Sequence, residues 1–179
     1  SHQTKTPIAN LLLYAQLLGE QDLPPESREY ASALEHQAEK LRFLIDALVK
    51  TSRLESGVLA MTPKRHGIQQ LLDAASAQAA PGAEAKAITL TVEPTDLTAR
   101  FDPKWTAEAL YNLVDNAVKY TPAGGAVTLR AVGYELFCRV DVEDTGPGIP
   151  ESEQARIFQR FYRSPSASEA EGVGIGLYL

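Results

Sequence analysis

From Ser27 to Ser56, the residues Tyr30, Leu34, Ala38, Leu41, Leu44, Ile45, Leu48 and Leu54 fall on one broad helical stripe. The segment from Thr4 to Leu18 carries Ile8, Leu11, Leu12, Ala15 and Leu18 on the same period. Pro7 stands near its start, where a missing N–H costs least, although a helix running through from before Ser1 would bend there instead. The intervening GEQDLPPES is a connector, with Gly19 as a cap and Pro24 and Pro25 blocking continuation. Two helices so joined make an antiparallel hairpin, and a hairpin alone cannot bury a stripe that wide. The simplest remedy is a dimer whose two hairpins form a four-helix bundle; packing on the rest of the chain is the alternative.

From about residue 57 the pattern changes. GVLAMTP reads as a short strand, Ile68 to Gln78 as a short helix, AITLTVEP as an alternating strand and ARFDP as a brief extended piece. Lys104 to Lys119 is strongly periodic, and AVTLRAVGYELFCRVDVED holds two strands around a turn near Val132 to Tyr134. The expectation is an α+β chain: a helical hairpin over 1–56, then an α/β sandwich over 57–179 with helices on one face of a mixed sheet. A net charge of -6 gives no sign of a nucleic-acid surface or a polybasic membrane patch. The single cysteine, Cys138, excludes a disulfide framework, makes no zinc site alone, and reads as a buried structural thiol. No apolar run approaches the roughly 20 residues of a membrane span and no signal peptide is visible, so the chain reads as soluble.

Four segments carry chemistry. SHQTKTP opens the chain with His2; His36 and His66 read as ordinary surface residues. In EALYNLVDNAVKYTP, Glu108, Asn112, Asp115, Asn116 and Lys119 share one side of a helix, opposite Leu110, Leu113, Val114 and Ala117. An amide oxygen there suits Mg²⁺, which takes few protein ligands beside nucleotide phosphates, and Lys119 suits a phosphate; a merely solvated face is the other reading. In VEDTGPGIP a strand ends on Asp144, whose carboxylate can accept from an exocyclic amine, before Gly146 and Gly148 turn the chain. In EGVGIGLYL, Gly172, Gly174 and Gly176 precede an apolar run, as glycines that expose N–H groups to phosphate do. The segment follows a polar loop rather than a strand, and a GxxxxGK[ST] loop is absent.

Taken together and in order, these segments resemble the bacterial sensor histidine kinases of two-component systems. SHQTKTP is similar to the phosphoacceptor box, NLVDNAVKYTP to the asparagine box, DTGPGIP and GVGIGLYL to the two glycine boxes, and RIFQRFYR to the aromatic box between them. The resemblance implies a dimeric hairpin bearing the acceptor, followed by the Bergerat-type ATP-binding sandwich shared with gyrase, chaperone and mismatch-repair ATPases. It implies that His2 takes the γ-phosphoryl of ATP, beside Gln3 and with Thr6 one turn on, and passes it to an aspartate of a response regulator. Asn116 would ligate Mg²⁺, and Asn112, Lys119 and Tyr120 would face phosphate or lid. Asp144 would read adenine, with Gly146, Gly148 and Ile149 around base and ribose. Gly172, Gly174, Gly176 and Leu177 would close over the phosphates. The segment from Ile149 to Glu171 would be a mobile lid docked by Phe158, Phe161 and Tyr162.

Gln3 departs from the family pattern, which has a carboxylate there; an amide can hold the imidazole but is a poor base, which implies slow autophosphorylation. Thr6 implies a phosphatase role toward the regulator. The resemblance also implies helix beyond both ends of the chain, and a membrane-anchored whole protein whose cytoplasmic portion this is. An ATP-hydrolysing relative would need a carboxylate where Asn112 stands. A non-catalytic scaffold would fit Gln3, and a serine kinase of the anti-sigma type would not need the hairpin.

Overall fold

The computed structural model describes residues 2–55, 61–159, 162–164 and 176–178, without the side chains of 2–5, 47, 50 and 53–55. The chain divides into two compact units, Ser1–Leu59 and Ala60–Leu179.

The first unit is a hairpin of α1 (His2–Gly19) and α2 (Pro25–Glu55). Pro7 lies inside α1 rather than at its start, so one main-chain bond of the ladder is missing there. Of the connector prolines, Pro25 opens α2 instead of blocking it: its fixed φ suits the first helical position, and Glu26 meets the positive end of the dipole. Ile8, Leu12 and Ala15 of α1 are buried, as are Ala31 and Thr51 of α2. Much of the remaining stripe is not covered: Tyr30 is 64% exposed, Leu34 58% and Leu48 47%.

In the second unit, β1 (Lys64–Gly67) pairs antiparallel with β3 (Thr98–Phe101), Lys64 opposite Phe101. A separate three-stranded sheet has the order β2 (Thr89–Val92), β4 (Ala126–Gly133), β5 (Cys138–Asp144). The β2–β4 pair is parallel and β4–β5 antiparallel, so the sheet is mixed. A parallel pair needs a long crossover, and α4 (Pro103–Tyr120) lies in it. The core joins α3 (Ile68–Ala85) and α4 to the inward residues of β4: Leu72, Val114, Val127 and Leu129 are fully buried. One-turn α5 (Glu151–Gln154) follows the sheet.

Several boundaries differ from the sequence reading. In the expected GVLAMTP strand, Met61–Pro63 is not strand and 57–60 lies outside the described residues; polar Lys64–Gly67 pairs instead, because β3 offers its backbone a ladder. Helix α3 runs on through Pro81 to Ala85, since Ala79 and Ala83 still face the core and packing outweighs propensity. The β4–β5 turn falls later, closed by the Tyr134 N–H on the Phe137 carbonyl at 2.8 Å. Cys138 is half-buried against the core rather than enclosed, and that burial raises its thiol pKa.

Helix α3 ends in paired bonds from the Ile88 N–H to the Ala83 carbonyl and from the Ala87 N–H to the Glu84 carbonyl. This Schellman closure places Ala87 at φ 51°, a left-handed position that glycine fills without strain. Ala87→Gly should therefore stabilise the unit by about 1 kcal/mol, read as a raised denaturation midpoint at unchanged m-value.

Helix α4 starts on Asp102, whose side chain accepts from the Lys104 and Trp105 N–H groups, with Pro103 in the first turn. The same carboxylate accepts from the N–H and hydroxyl of Thr62, fastening the segment that leads into β1. The Thr62 N–H bond is the largest cause of a lowered Asp102 pKa, burial opposes it, and the two cap bonds add to it. A carboxylate with a lowered folded pKa stabilises fully above its unfolded value of about 3.9 and loses that contribution as pH falls through the folded value. Wild type should thus melt above Asp102→Ala at neutral pH, with the gap narrowing below about pH 4 in a thermal melt series.

Candidate nucleotide site

Helix α4 is amphipathic, but Leu113, expected on its apolar side, is 44% exposed, because it sits at the edge of the stripe toward Asn116. Leu110, Val114, Ala117 and Val118 are buried, while Asn112 and Asn116, one turn apart, are half-buried on another face. Asp115 is engaged by Tyr111: burial first, then the Asp115 charge and hydrogen bond, raise the tyrosine pKa. The Lys119 ammonium lies 5.8 Å from the Tyr120 ring centroid.

Strand β5 delivers Asp144 to the same neighbourhood. Its Oδ1 accepts the Gly146 N–H at 2.7 Å, which fixes the carboxylate. A Cβ on Gly146 would come within 2.6 Å of that oxygen and 3.2 Å of the Tyr120 carbonyl, so the loop lies tightly against the end of α4. Thr145 ties the loop to β4: its N–H donates to the Ala126 carbonyl and its Oγ1 accepts the Ala126 N–H. Gly148 has φ 70°, which a side chain would strain.

The C-terminal segment reaches α4 at another point. The Asn112 amide donates to the Gly176 carbonyl at 3.1 Å. Here a Cβ would meet Asn112 only at 3.9 Å, so Gly176 is not demanded by that contact. One glycine segment thus touches α4 at Asn112 and the other at Tyr120, about 12 Å apart along the helix. Asn116 lies between them in sequence. That frame suits an elongated ligand with an anionic end.

Among the described residues no group of three or more His, Cys, Asp or Glu side chains could hold a metal. This donor set fits a Mg²⁺ ion that takes a single amide oxygen and otherwise phosphate and water. It does not fit a closed transition-metal cage.

Other expected residues are not gathered here. His2 and Gln3 belong to α1 in the other unit, and their side chains lie outside the described residues, as do Phe161, Gly172 and Gly174. Thr6 is exposed on α1, and Leu177 is half-buried beside Gly176. Ile149 is 46% exposed and Phe158 57%, and much of the expected lid lies outside the described residues. Tyr162 behaves differently, with a buried hydroxyl and the Arg156 guanidinium 4.5 Å from its ring.

Two features escaped the sequence reading. The Lys86 ammonium donates to the Val118 and Lys119 carbonyls, both at 2.8 Å, from a loop with no motif to mark it. Asp102 was legible as an Asp-Pro helix start but was read as extended.

Known proteins are similar to this chain in sequence and fold. Residues 1–57 match the His Kinase A (phospho-acceptor) domain, and residues 101–179 match the histidine kinase-, DNA gyrase B-, and HSP90-like ATPase domain. The sensor protein CreC of Escherichia coli (strain K12) is 32% identical over 99% of this chain, which spans 37% of CreC. Full-length ShkA, crystallised with AMPPNP, superposes with a TM-score of 0.80 at 30% identity, covering 99% of this chain and 37% of ShkA. Histidine kinase ThkA, solved with the response regulator protein TrrA, shares the fold at 20% identity and a TM-score of 0.66, over 90% of this chain and 48% of ThkA. The chain belongs to the bacterial sensor histidine kinases of two-component systems, with their phosphoacceptor and ATPase domains.

Proposed function

We propose that this chain is the ATP-dependent kinase core of its protein: residues 57–179 bind ATP, and His2, within residues 1–56, takes the γ-phosphoryl group. The observation that carries this is the frame around α4, where both glycine segments meet the helix bearing Asn112 and Asn116. The crystallised complex of ShkA with AMPPNP supports an ATP-like ligand in such a fold.

Asp144, held through Oδ1 by the Gly146 N–H, presents its other oxygen to the adenine amine. The close approach of Gly146 to Tyr120 leaves room for the base beside Ile149. Asn112 carries the Gly176 end, so the second glycine segment closes on the phosphates as Lys119 approaches with a point charge. Mg²⁺, held by Asn116, would neutralise phosphate charge. Phosphoryl transfer needs in-line placement more than covalent help from the protein. An imidazole nitrogen of His2 attacks the γ-phosphorus, the bond to the bridging oxygen breaks as ADP leaves, and the ring releases its remaining N–H proton to solvent. Gln3 orients the ring without serving as a strong base, so the step is slow. Transfer to an aspartate of a response regulator follows, and Thr6 serves dephosphorylation of that partner.

The exposed Tyr30, Leu34 and Leu48 support a homodimer in which two hairpins close a four-helix bundle. Among the described residues no helix is long and apolar enough to cross a membrane. We place this portion in the cytoplasm, beneath a membrane-anchored sensor.

The test is incubation with γ-labelled ATP and Mg²⁺. Acid-labile, alkali-stable label in the wild type that is lost in His2→Gln supports the reading. Acid-stable label, or label retained in His2→Gln, refutes it.

A further inference from the structure

The last turn of a helix leaves carbonyls without intrahelical partners, and it is the turn that opens most readily. In α4 that turn carries the candidate nucleotide residues Lys119 and Tyr120, with Asn116 just before it. Its carbonyls are taken in a specific way. The Thr121 N–H donates to the Ala117 carbonyl at 3.0 Å, and the Lys86 ammonium donates to both the Val118 and Lys119 carbonyls. The next carbonyl, of Tyr120, lies against Gly146.

Lys86 is itself fixed from both sides. Its N–H donates to the Ala83 carbonyl at the end of α3, and its own carbonyl accepts the Gly124 N–H from the loop after α4. The residue that follows, Ala87, holds a left-handed conformation that only a constrained surrounding retains. A cation at a helix C-terminus also complements the dipole, and ammonium-to-carbonyl bonds are charge-assisted.

We propose that Lys86 is a positioning residue for ATP. Its ammonium locks the last turn of α4, so that Lys119 and Tyr120 keep the register in which the Gly146 loop packs against Tyr120. The proposal rests on the nucleotide-site reading given above. Without the lock, the Val118 and Lys119 carbonyls turn to water, the turn frays, and the Tyr120–Gly146 contact loosens. ATP capture then suffers more than phosphoryl transfer from ATP already bound, because Lys86 touches neither ATP nor the acceptor.

The experiment measures initial autophosphorylation rates against ATP concentration for wild type, Lys86→Met, Lys86→Arg and Asn116→Ala, all in the whole chain. Lys86→Met should raise the KM for ATP about tenfold, as loss of charge-assisted bonds does, with a maximal rate within about twofold of wild type. Lys86→Arg, which keeps the charge and donors, should restore KM to within about threefold. A wild-type KM in a folded Lys86→Met overturns the proposal, as does a maximal rate that falls with KM unchanged. Should Lys86→Met fail to fold, Lys86→Gln takes its place, and an unchanged KM in that variant overturns the proposal equally. Asn116→Ala separates the two readings. If it leaves rate and KM intact, the site reading fails; if it abolishes activity while Lys86→Met keeps its KM, the lock alone fails.

Discussion

Asn116→Ala is expected to reduce autophosphorylation by about a hundredfold or more, the scale for removing one group that acts on a transferring phosphoryl. The side chain is half-buried one turn beyond Asn112, whose NH2 donates to the Gly176 carbonyl. Asn116, which lies between the two glycine contacts in sequence, offers its amide oxygen to the cation in the reading proposed above. Alanine is also the better helix former, so the folded state should lose nothing. The measurement pairs labelled-phosphate incorporation with a thermal melt. Lost activity at an unchanged or raised melting temperature is the expected result; lost activity with a collapsed melt would assign Asn116 to packing instead.

Gly146→Val should weaken ATP binding by a route that touches no phosphate. A Cβ there would sit 2.6 Å from Asp144 Oδ1 and 3.2 Å from the Tyr120 carbonyl, and the second of these is backbone that cannot swing aside. The carboxylate must rotate, losing the 2.7 Å bond from the Gly146 N–H that aims it. A hydrogen bond to a charged group contributes about 1.5–3 kcal/mol, so affinity for ATP should fall roughly ten- to a hundredfold. Titration with a fluorescent ATP analogue measures this directly. Selectivity should fall as well, since Asp144 is the group proposed to read the adenine amine, and ATP should lose more affinity than GTP. Equal losses for both nucleotides would point to a general collapse of the loop.

Much of this site was legible because its chemistry is local. Asn112 and Asn116 announce a shared helix face by their spacing, and the Asp-x-Gly-x-Gly order fixes a strand end followed by a tight turn whatever the rest of the chain does. The hairpin was legible for the same reason, its stripe depending only on a 3.6-residue period. What escaped was non-local. Nothing around Lys86 indicates that its ammonium ends on carbonyls 32 and 33 residues later. The β1 strand lies later than expected because polar Lys64–Gly67 pairs through backbone bonds, which leave no mark in a hydrophobic pattern. The helix expected to end at Gln78 runs on through Pro81, because Ala79 and Ala83 face the core on either side of that proline and burial decides the outcome. Asp102 shows the same limit, since its cap bonds are local but its bond to Thr62 spans 40 positions.

The most direct measurement is to locate the phosphate. After reaction with ATP and Mg²⁺, the protein is digested at neutral to basic pH and the phosphorylated residue is mapped by mass spectrometry with gentle fragmentation. The chain offers only three histidines, His2, His36 and His66. Phosphate on His2 alone is the predicted result. Phosphate on His36, on His66 or on a hydroxyl side chain would contradict the division of labour between α1 and the α4 site.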